Sequence, residues 1–314
     1  MLAYTAIVLI ATLFGYVSAR GCPAEHLTRP CKCTIGTFGE TLQCENITDR
    51  SIFDGVMRRT RGILFKEFKL SNSQIDLIPS EYLQQKRFMR ISIKDSELTA
   101  FSDETSSASN SVQSLTFVNV TFSSGFPWRQ LKIFPNLQDL TVVRVNISSL
   151  GQNFKNNISK KLKQVSFDGT NTTDIDESIF SEYSRLEVVG IENIGLKMLK
   201  RSYFPSPAKI KIALFNGNEF RTLPEDVIES MPKLRIIELN RNKLTEISRT
   251  VFQKVPQELM EVRLEDNPLN CNCNMYGILA LTSRTNVVGT CTKPNGLNGK
   301  KLKDLVEKDF ESCN

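Results

Sequence analysis

Cysteine is the residue type in this sequence with the most informative chemistry, and its distribution is uneven. The 314-residue chain has eight cysteines, in two groups separated by a long cysteine-free stretch. The groups are Cys22, Cys31, Cys33 and Cys44 near one end, and Cys271, Cys273, Cys291 and Cys313 near the other. Each group could bind zinc, but the C-x-C spacing in both is tighter than the usual C-x-x-C. An even number of cysteines in an oxidising compartment favours disulfide bonds.

The first nineteen residues indicate which compartment that is. They contain no charged side chain and end with Val17 and Ala19 at the −3 and −1 positions of a small-residue cleavage site. A membrane anchor is the alternative, but the segment is short for one and lacks a basic stop-transfer flank. We therefore predict a signal peptide at 1–19 and a secreted, extracellular protein.

A secreted chain can also be glycosylated. Asparagine begins five N-x-S/T triplets, at Asn46, Asn119, Asn146, Asn157 and Asn171. All five lie in the first 173 residues. Because chance triplets also occur, we expect at least two of the five asparagines to carry a glycan and the second half of the chain to carry none.

The sequence contains no constellation of residues for catalysis. Its single histidine, His26, lies inside the first cysteine group, so neither a histidine-containing triad nor a multi-histidine metal site can form. No P-loop, G-x-S-x-G or G-x-G-x-x-G motif stands at a strand-to-helix turn. Carboxylate pairs such as Glu265-Asp266 are interpreted as ordinary exposed residues. We predict a protein that is not an enzyme and uses no cofactor and no metal.

Charge gives little further information. The formal net charge of +6 permits attraction to acidic partners but is too small to indicate nucleic acid. Basic residues form short clusters at 58–61, 160–163 and 300–303. We interpret these clusters as solvated surface, and a site for a polyanion such as a glycosaminoglycan is the less favoured alternative.

An internal repeat determines where the cysteines, sequons and charged residues lie. Its clearest copy is at residues 234–247, LRIIELNRNKLTEI. Leu234, Ile237, Leu239, Asn242 and Leu244 occupy positions 1, 4, 6, 9 and 11 of the pattern L-x-x-L-x-L-x-x-N-x-L. The pattern fits nine segments, which start at residues 65, 88, 112, 137, 162, 186, 210, 234 and 259. The spacing predicts a short strand at positions 3–7 of each repeat, a turn, and a return segment along the outer face.

Position 9 differs along the chain. It is Asn218, Asn242 and Asn267 in the last three repeats, where an amide can satisfy the backbone of the turn. In the earlier repeats it is serine, threonine, valine or isoleucine. We therefore expect less regular turns in the first two-thirds of the solenoid.

The cysteine groups that flank the repeats resemble the paired caps of extracellular leucine-rich repeat proteins, and the join NPLNCNC at 267–273 is especially similar. The resemblance covers the whole mature chain. It implies an α/β-type solenoid, a leucine-rich repeat horseshoe with a concave parallel β-sheet and about nine repeats of 23–25 residues, disulfide-capped at both ends. The implied division is a cap at 20–62, repeats at 63–269 and a second cap at 270–314. The implied pairs are Cys22–Cys33, Cys31–Cys44, Cys271–Cys291 and Cys273–Cys313.

Such a fold offers a surface for binding another protein. Positions 3, 5 and 7 of each repeat face out of the concave sheet because strand side chains alternate. Four of them, Val188, Ile212, Leu214 and Ile236, form what we call the apolar patch, with Glu238 and Arg263 among the charged residues around it. We predict that this surface binds another extracellular protein, without nucleic acid and without a membrane anchor. The alternative interpretation is that neighbouring strands half-bury position 3.

A second functional hypothesis comes from resemblance alone. The chain is also similar to secreted arthropod repeat proteins, among them the non-catalytic subunit of a shrimp luciferase. That resemblance implies a non-catalytic subunit that stabilises a separate secreted enzyme, such as a luciferase-like oxygenase.

The predicted cleavage site can be tested directly. Amino-terminal sequencing of the secreted protein should begin at Arg20, because signal peptidase cuts after the small residue at the −1 position. A secreted protein that retains Met1 would contradict the prediction of a signal peptide.

Overall fold

The computed structural model describes residues 21–103, 109–253 and 255–313, so the predicted signal peptide lies outside the described residues. The strands are β1 Lys32–Gly36, β2 Gly39–Glu45, β3 Glu67–Ser71, β4 Gln74–Ile75, β5 Arg90–Leu98, β6 Ser114–Phe122, β7 Asp139–Val143, β8 Ser149–Leu150, β9 Gln164–Asp168, β10 Asp174–Ile175, β11 Val188–Glu192, β12 Ile212–Leu214, β13 Ile236–Glu238, β14 Glu261–Arg263 and β15 Asn286–Val288. The α-helices are α1 Glu25–Thr28, α2 Arg50–Arg59, α3 Ser80–Lys86, α4 Gln152–Asn157, α5 Arg249–Gln253 and α6 Ile278–Thr282. Short 3₁₀ helices span Trp128–Ile133, Arg201–Tyr203, Cys273–Met275, Asn295–Leu297, Leu302–Asp304 and Glu307–Cys313.

One long sheet organises the chain. From β2 to β15 its main strands are parallel and follow one another in sequence order, and β1 pairs with β2 in antiparallel orientation at one end. A strand begins at position 3 of all nine predicted repeats. The prediction of a leucine-rich repeat solenoid is therefore confirmed. With a cap strand at each end, the sheet is about 50 Å long at a strand spacing of about 4.8 Å.

The core runs through the solenoid as rows of identical repeat positions. Phe68 pairs in register with Ile91, which pairs with Leu115, and the same continuity holds along the sheet. Side chains at positions 1, 4 and 6 are at most 6 % exposed in every repeat. Each row packs on the rows of the adjacent turns, so no turn has a complete core of its own.

Aromatic rings join many of these turns. Phe53, Phe68 and Phe88 lie in successive turns, with ring centroids 5.6 and 5.3 Å apart. Further along, Phe154 and Phe180 meet edge to face at 5.7 Å. These separations are those of favourable aromatic pairs, which stabilise beyond the buried area alone.

Position 8 of every repeat takes the left-handed backbone conformation, and the sequence analysis did not identify this position. Its φ angle lies between 47° and 66° in all nine repeats. The residues are Asn72, Asp95, Asn119, Arg144, Gly169, Asn193, Gly217, Arg241 and Asp266. Glycine, asparagine and aspartate tolerate this conformation best. They hold seven of the nine positions, so the signal was present in the sequence.

The turns after the strands are completed by neighbouring repeats. The amide nitrogen of Asn242 donates to the carbonyls of Leu239 in its own repeat and Phe215 in the preceding one, at 3.0 and 2.9 Å. Its oxygen accepts from the backbone N–H of Phe220. Asn218 and Asn267 repeat the arrangement. Each asparagine therefore connects two turns of the stack.

The earlier repeats lack this asparagine and complete their turns with other hydrogen bonds. Strands β5 and β6 are nine residues long, and their parallel pairing continues through Ser96↔Val120 to Leu98↔Phe122. Ser73 accepts from the backbone N–H of Ile47 at 2.9 Å. The loss of asparagine is thus offset by a longer backbone ladder and by short hydroxyl side chains.

Disulfide bonds close both ends. The pairs are Cys22–Cys33, Cys31–Cys44, Cys271–Cys291 and Cys273–Cys313, which is the pairing that the resemblance implies. Strands β2 and β15, one from each cap, pair with the first and last repeat strands. The caps therefore extend the sheet as well as cover the core.

A buried lysine fixes the first cap to the repeats. Lys86 is 1 % exposed, and its ammonium donates to the carbonyl and hydroxyl oxygens of Thr60 at the end of α2. A cation at a helix C-terminus is favourable because the last carbonyls there are unpaired. Burial lowers the pKa of Lys86 to about 8, and the charge of Arg61 adds to this effect.

Gly217 provides a test of the stacked turns. A Cβ there would lie 1.8 Å from Oδ1 of Asn193 in the preceding turn. Gly195 also has a positive φ but has open space around it. Gly217→Ala should therefore lower the free energy of unfolding by more than Gly195→Ala. For Gly195→Ala, the added backbone strain should lower it by only about 1 kcal/mol. Chemical denaturation measures both; equal losses would contradict the predicted contact with Asn193.

Candidate functional site

The apolar patch lies on three adjacent strands. Val188, Ile212 and Ile236 pair in register across β11, β12 and β13, so their side chains form a row at about 4.8 Å spacing. Leu214 lies two residues after Ile212 on the same face and pairs with Glu238. The parallel register therefore brings together four aliphatic side chains that the sequence separates by up to 48 residues.

All four side chains of the patch are half-buried. Polar residues at position 3 of other repeats, such as Glu67, Arg90 and Asp139, are also half-buried. Partial burial is therefore a property of position 3, because strands this close cover part of one another's side chains. The patch differs from the rest of the column in chemistry rather than in exposure.

Charged and amide side chains border the patch on the side where the strands end. The amide nitrogen of Asn216 donates to Glu238 at 2.8 Å and to Glu192 at 3.4 Å. Arg263 pairs with Glu261 at 2.8 Å and lies 3.8 Å from Glu238. The predicted rim residues Glu238 and Arg263 therefore belong to one hydrogen-bonded and ionic network beside the patch.

Glu192 is a partly buried carboxyl of this network. Burial raises its pKa, and the negative charges of Asp168 and Glu238 raise it further. The hydrogen bond from Asn216 and the charge of Arg241 oppose the shift. The rim is therefore a place where negative charge has accumulated without full compensation.

A second exposed apolar feature, which the sequence analysis missed, lies at the other end of the sheet. The hairpin between β1 and β2 carries Ile35 and Phe38, which are 64 % and 51 % exposed. The guanidinium carbon of Arg90 lies 3.8 Å from the centroid of the Phe38 ring. Two glycines, Gly36 and Gly39, flank the turn and are the sequence signal for this hairpin.

Four of the five sequon asparagines lie along the edge where the strands end. Asn46 directly follows β2, Asn119 lies near the end of β6, and Asn146 and Asn171 lie three residues after β7 and β9. These four are exposed. Asn157, at the end of α4, is half-buried and donates to the carbonyl of Asn153. The apolar patch lies on later strands than all five.

Among the residues that the structure describes, no three histidine, cysteine, aspartate or glutamate side chains are grouped so that they could hold a metal ion. None of the helices in this part of the chain has the length and apolar character needed to cross a membrane. His26, in α1, is exposed.

The raised pKa of Glu192 predicts a pH-dependent stability. At neutral pH the charged carboxylate is less favourable in the folded chain than in the unfolded chain, whereas below both pKa values the protonated group carries no such cost. Glu192→Gln should therefore raise the melting temperature at pH 7 and leave it unchanged at pH 3. The exposed Glu97→Gln serves as the control. A gain at pH 3 as large as that at pH 7 would contradict this electrostatic explanation.

Comparison with known proteins supports the architecture. No family model matches the sequence. The non-catalytic subunit of Oplophorus-luciferin 2-monooxygenase from Oplophorus gracilirostris is 21 % identical over 330 aligned residues, covering 94 % of this chain and 89 % of that protein. Amphoterin-induced protein 1 of Mus musculus is 29 % identical over 87 residues, and trophoblast glycoprotein of Macaca fascicularis is 26 % identical over 125 residues. These two matches span only 18 % and 30 % of the relatives.

A solved structure shows the same fold. The Toll–Spatzle complex of Drosophila matches 75 % of this chain with a TM-score of 0.57 and 16 % identity, over 34 % of the matched chain. The repeats, the parallel sheet, the paired disulfide caps and these relatives agree with one another. The chain therefore has a leucine-rich repeat fold with disulfide-bonded caps at both ends, and the proteins that it resembles are leucine-rich repeat proteins.

Proposed function

We propose that this chain is a secreted binding protein that recognises another extracellular protein through its concave face. The observation that carries the proposal is the in-register row of Val188, Ile212 and Ile236, extended by Leu214. Elsewhere along position 3 the residues are charged or polar, so the row is a local departure from a solvated surface. Similar leucine-rich repeat proteins, among them a chain of the Toll–Spatzle complex, support a role in protein interaction.

The size of the patch suits the centre of an interface. Full burial of an exposed aliphatic side chain contributes about 1.5–3 kcal/mol, so four half-buried ones contribute about 3–6 kcal/mol when a partner covers them. That is enough for a small cluster of dominant contacts but not for a tight complex by itself. Further contacts must come from the surrounding surface.

The charged border supplies specificity. Glu238 and Arg263 already interact with each other, and Glu192 adds negative charge beside them. An apolar centre with a polar border is the usual organisation of a protein interface. We infer that a partner presents an apolar side chain to the patch and a basic group to the acidic side of the border.

The sequons are consistent with this location. If the four asparagines on the edge where the strands end carry glycans, the glycans lie beside the first five turns and leave β11 to β14 uncovered. Asn119, which lies within β6, would place a glycan closest to the concave face. A partner therefore has open access at the carboxy-terminal half of the sheet.

The test is a double substitution. Ile212→Asp with Ile236→Asp should reduce recovery of the natural partner from the source secretion by at least about tenfold, because two charges would be buried in the complex without partners. Ser92→Asp with Thr116→Asp is the matched control, since both residues are half-buried on the same face, on β5 and β6. Partner recovery and melting temperature are measured for both variants. Normal folding with unchanged partner recovery would place the site elsewhere.

A second candidate function is that of a non-catalytic subunit in a complex with a secreted enzyme. The observation that favours it is the match to the Oplophorus subunit, which spans nearly the full length of both chains. This function requires one enzyme at a fixed stoichiometry. Native purification from the source secretion should then yield that enzyme, and its half-life at elevated temperature should shorten when this chain is removed. A monodisperse chain without any enzyme would exclude this candidate.

A further inference from the structure

The edge of the solenoid where the strands begin carries an excess of positive charge in four consecutive turns. We call it the basic edge and define it as residues 160–163, 185–187, 209–211 and 233–235, which lead into β9, β11, β12 and β13. Its basic residues are Lys160, Lys161, Lys163, Arg185, Lys209, Lys211, Lys233 and Arg235. In the sequence only the first segment is a cluster. The other five cations are distributed over 51 residues.

The stacking of turns assembles these residues into two rows. The backbone N–H of Glu187 donates to the carbonyl of Lys163, that of Lys211 to Glu187, and that of Arg235 to Lys211, at 2.7, 2.7 and 2.8 Å. The residue before each strand therefore lies about 4.8 Å from the equivalent residue of the next turn. A second row lies two residues earlier in each turn. It consists of Lys161, Arg185, Lys209 and Lys233.

Few carboxylates neutralise the edge. Glu182, Glu187 and Glu258 pair with Lys160, Lys211 and Lys233 respectively, at 2.8, 2.6 and 2.8 Å. Eight cations and three carboxylates leave a net charge of +5, against +6 for the whole chain.

Three cations at the centre of the edge stand apart from these pairs. Lys163, Arg185 and Lys209 are exposed and form no ion pair within the described residues. Nearly all of the protein's excess charge is therefore concentrated on one side of four turns.

The cations of different turns act on the same groups. The pKa of Glu187 is lowered, first by the hydrogen bond from Lys211 and also by the charges of Lys163 and Lys209. Residues that are 46 positions apart in the sequence thus contribute to one local potential.

The basic edge is also accessible. Four of the sequon asparagines lie on the opposite edge, where the strands end. Asn157 is nearer, three residues before Lys160, but its side chain is half-buried and hydrogen-bonded to Asn153. A ligand can therefore approach the edge without displacing a glycan at the other four sites.

We propose that the basic edge binds a linear sulfated polysaccharide of the cell surface or the extracellular matrix. The second row is four cations regularly spaced over about 14 Å, and the first holds three cations with Glu187 between Lys163 and Lys211. Together the two rows fit an extended polyanion that runs along the edge. Six of the eight cations are lysines on flexible stems, and seven of the eight are exposed, which suits several mobile sulfate groups better than one buried anion. The edge has no exposed aromatic side chain on which nucleic acid bases could stack.

Such binding is independent of the proposed recognition by the concave face. It would concentrate the protein on surfaces that carry the polysaccharide while leaving the apolar patch free. Its test uses residues outside the patch and its border, so the two proposals can fail separately.

The experiment measures binding to heparin with the full secreted chain. The test variant combines Lys163→Gln, Arg185→Gln and Lys209→Gln. It should bind heparin at least about tenfold more weakly at physiological salt, and its affinity should depend less on salt, because fewer contacts with the polyanion release fewer counterions. The matched control is Lys94→Gln, Lys197→Gln and Arg221→Gln. These three residues are exposed, lie on or beyond the other ends of the strands, and carry the same total charge.

Three further measurements keep the interpretation unambiguous. The control variant should bind heparin within about twofold of the wild type, because its cations are remote from the rows. Desulfated heparin should bind weakly, and phosphatidylserine vesicles should not compete. The proposal is overturned if both triple variants weaken binding equally, or if the wild type binds the vesicles and not heparin. If the first triple variant melts early, Lys209→Glu alone should still weaken binding.

Discussion

The structure depends on the fact that each turn of the chain can satisfy its backbone and cover its apolar side chains only against the next turn. Asn218, Asn242 and Asn267 show this most directly, since each amide bonds to the carbonyls of two successive turns. In two of the repeats without asparagine, the longer pairing of β5 with β6 does the same. A buried carbonyl or N–H without a partner costs about 1–3 kcal/mol, so the register between turns is fixed throughout.

The same dependence explains the caps. The first and last turns would each leave one side without a neighbour, and the disulfide-bonded segments supply it. Strands β2 and β15 continue the sheet, and Lys86 joins the end of α2 to the repeat region. The sheet therefore has repeat-like neighbours at both ends of the core, although the cap sequences do not follow the repeat pattern.

Fixed register also creates the functional surfaces. Residues about 24 positions apart become neighbours, so one residue type at one repeat position becomes a row. Aliphatic residues at position 3 give the apolar patch, and cations just before the strands give the basic edge. Four sequon asparagines lie where the strands end. The sheet and its two edges thus carry three different sets of residues on one scaffold: an aliphatic row, a cationic edge and an edge with sequon asparagines.

The sequence by itself determined the repeat length, the strand positions and the inward-facing residues, because the pattern of Leu234, Ile237 and Leu239 recurs with nearly constant spacing and its side chains have only one way to be buried. It also placed Val188, Ile212 and Ile236 at one repeat position, which the parallel register turns into a row. Tertiary structure alone decided how the turns without asparagine are completed, that Phe38 lies against Arg90, and that Lys86 is buried on Thr60. It also decided that scattered cations form one edge. These features depend on contacts between turns, and a one-dimensional sequence places such residues far apart, so no local pattern records the distance between them.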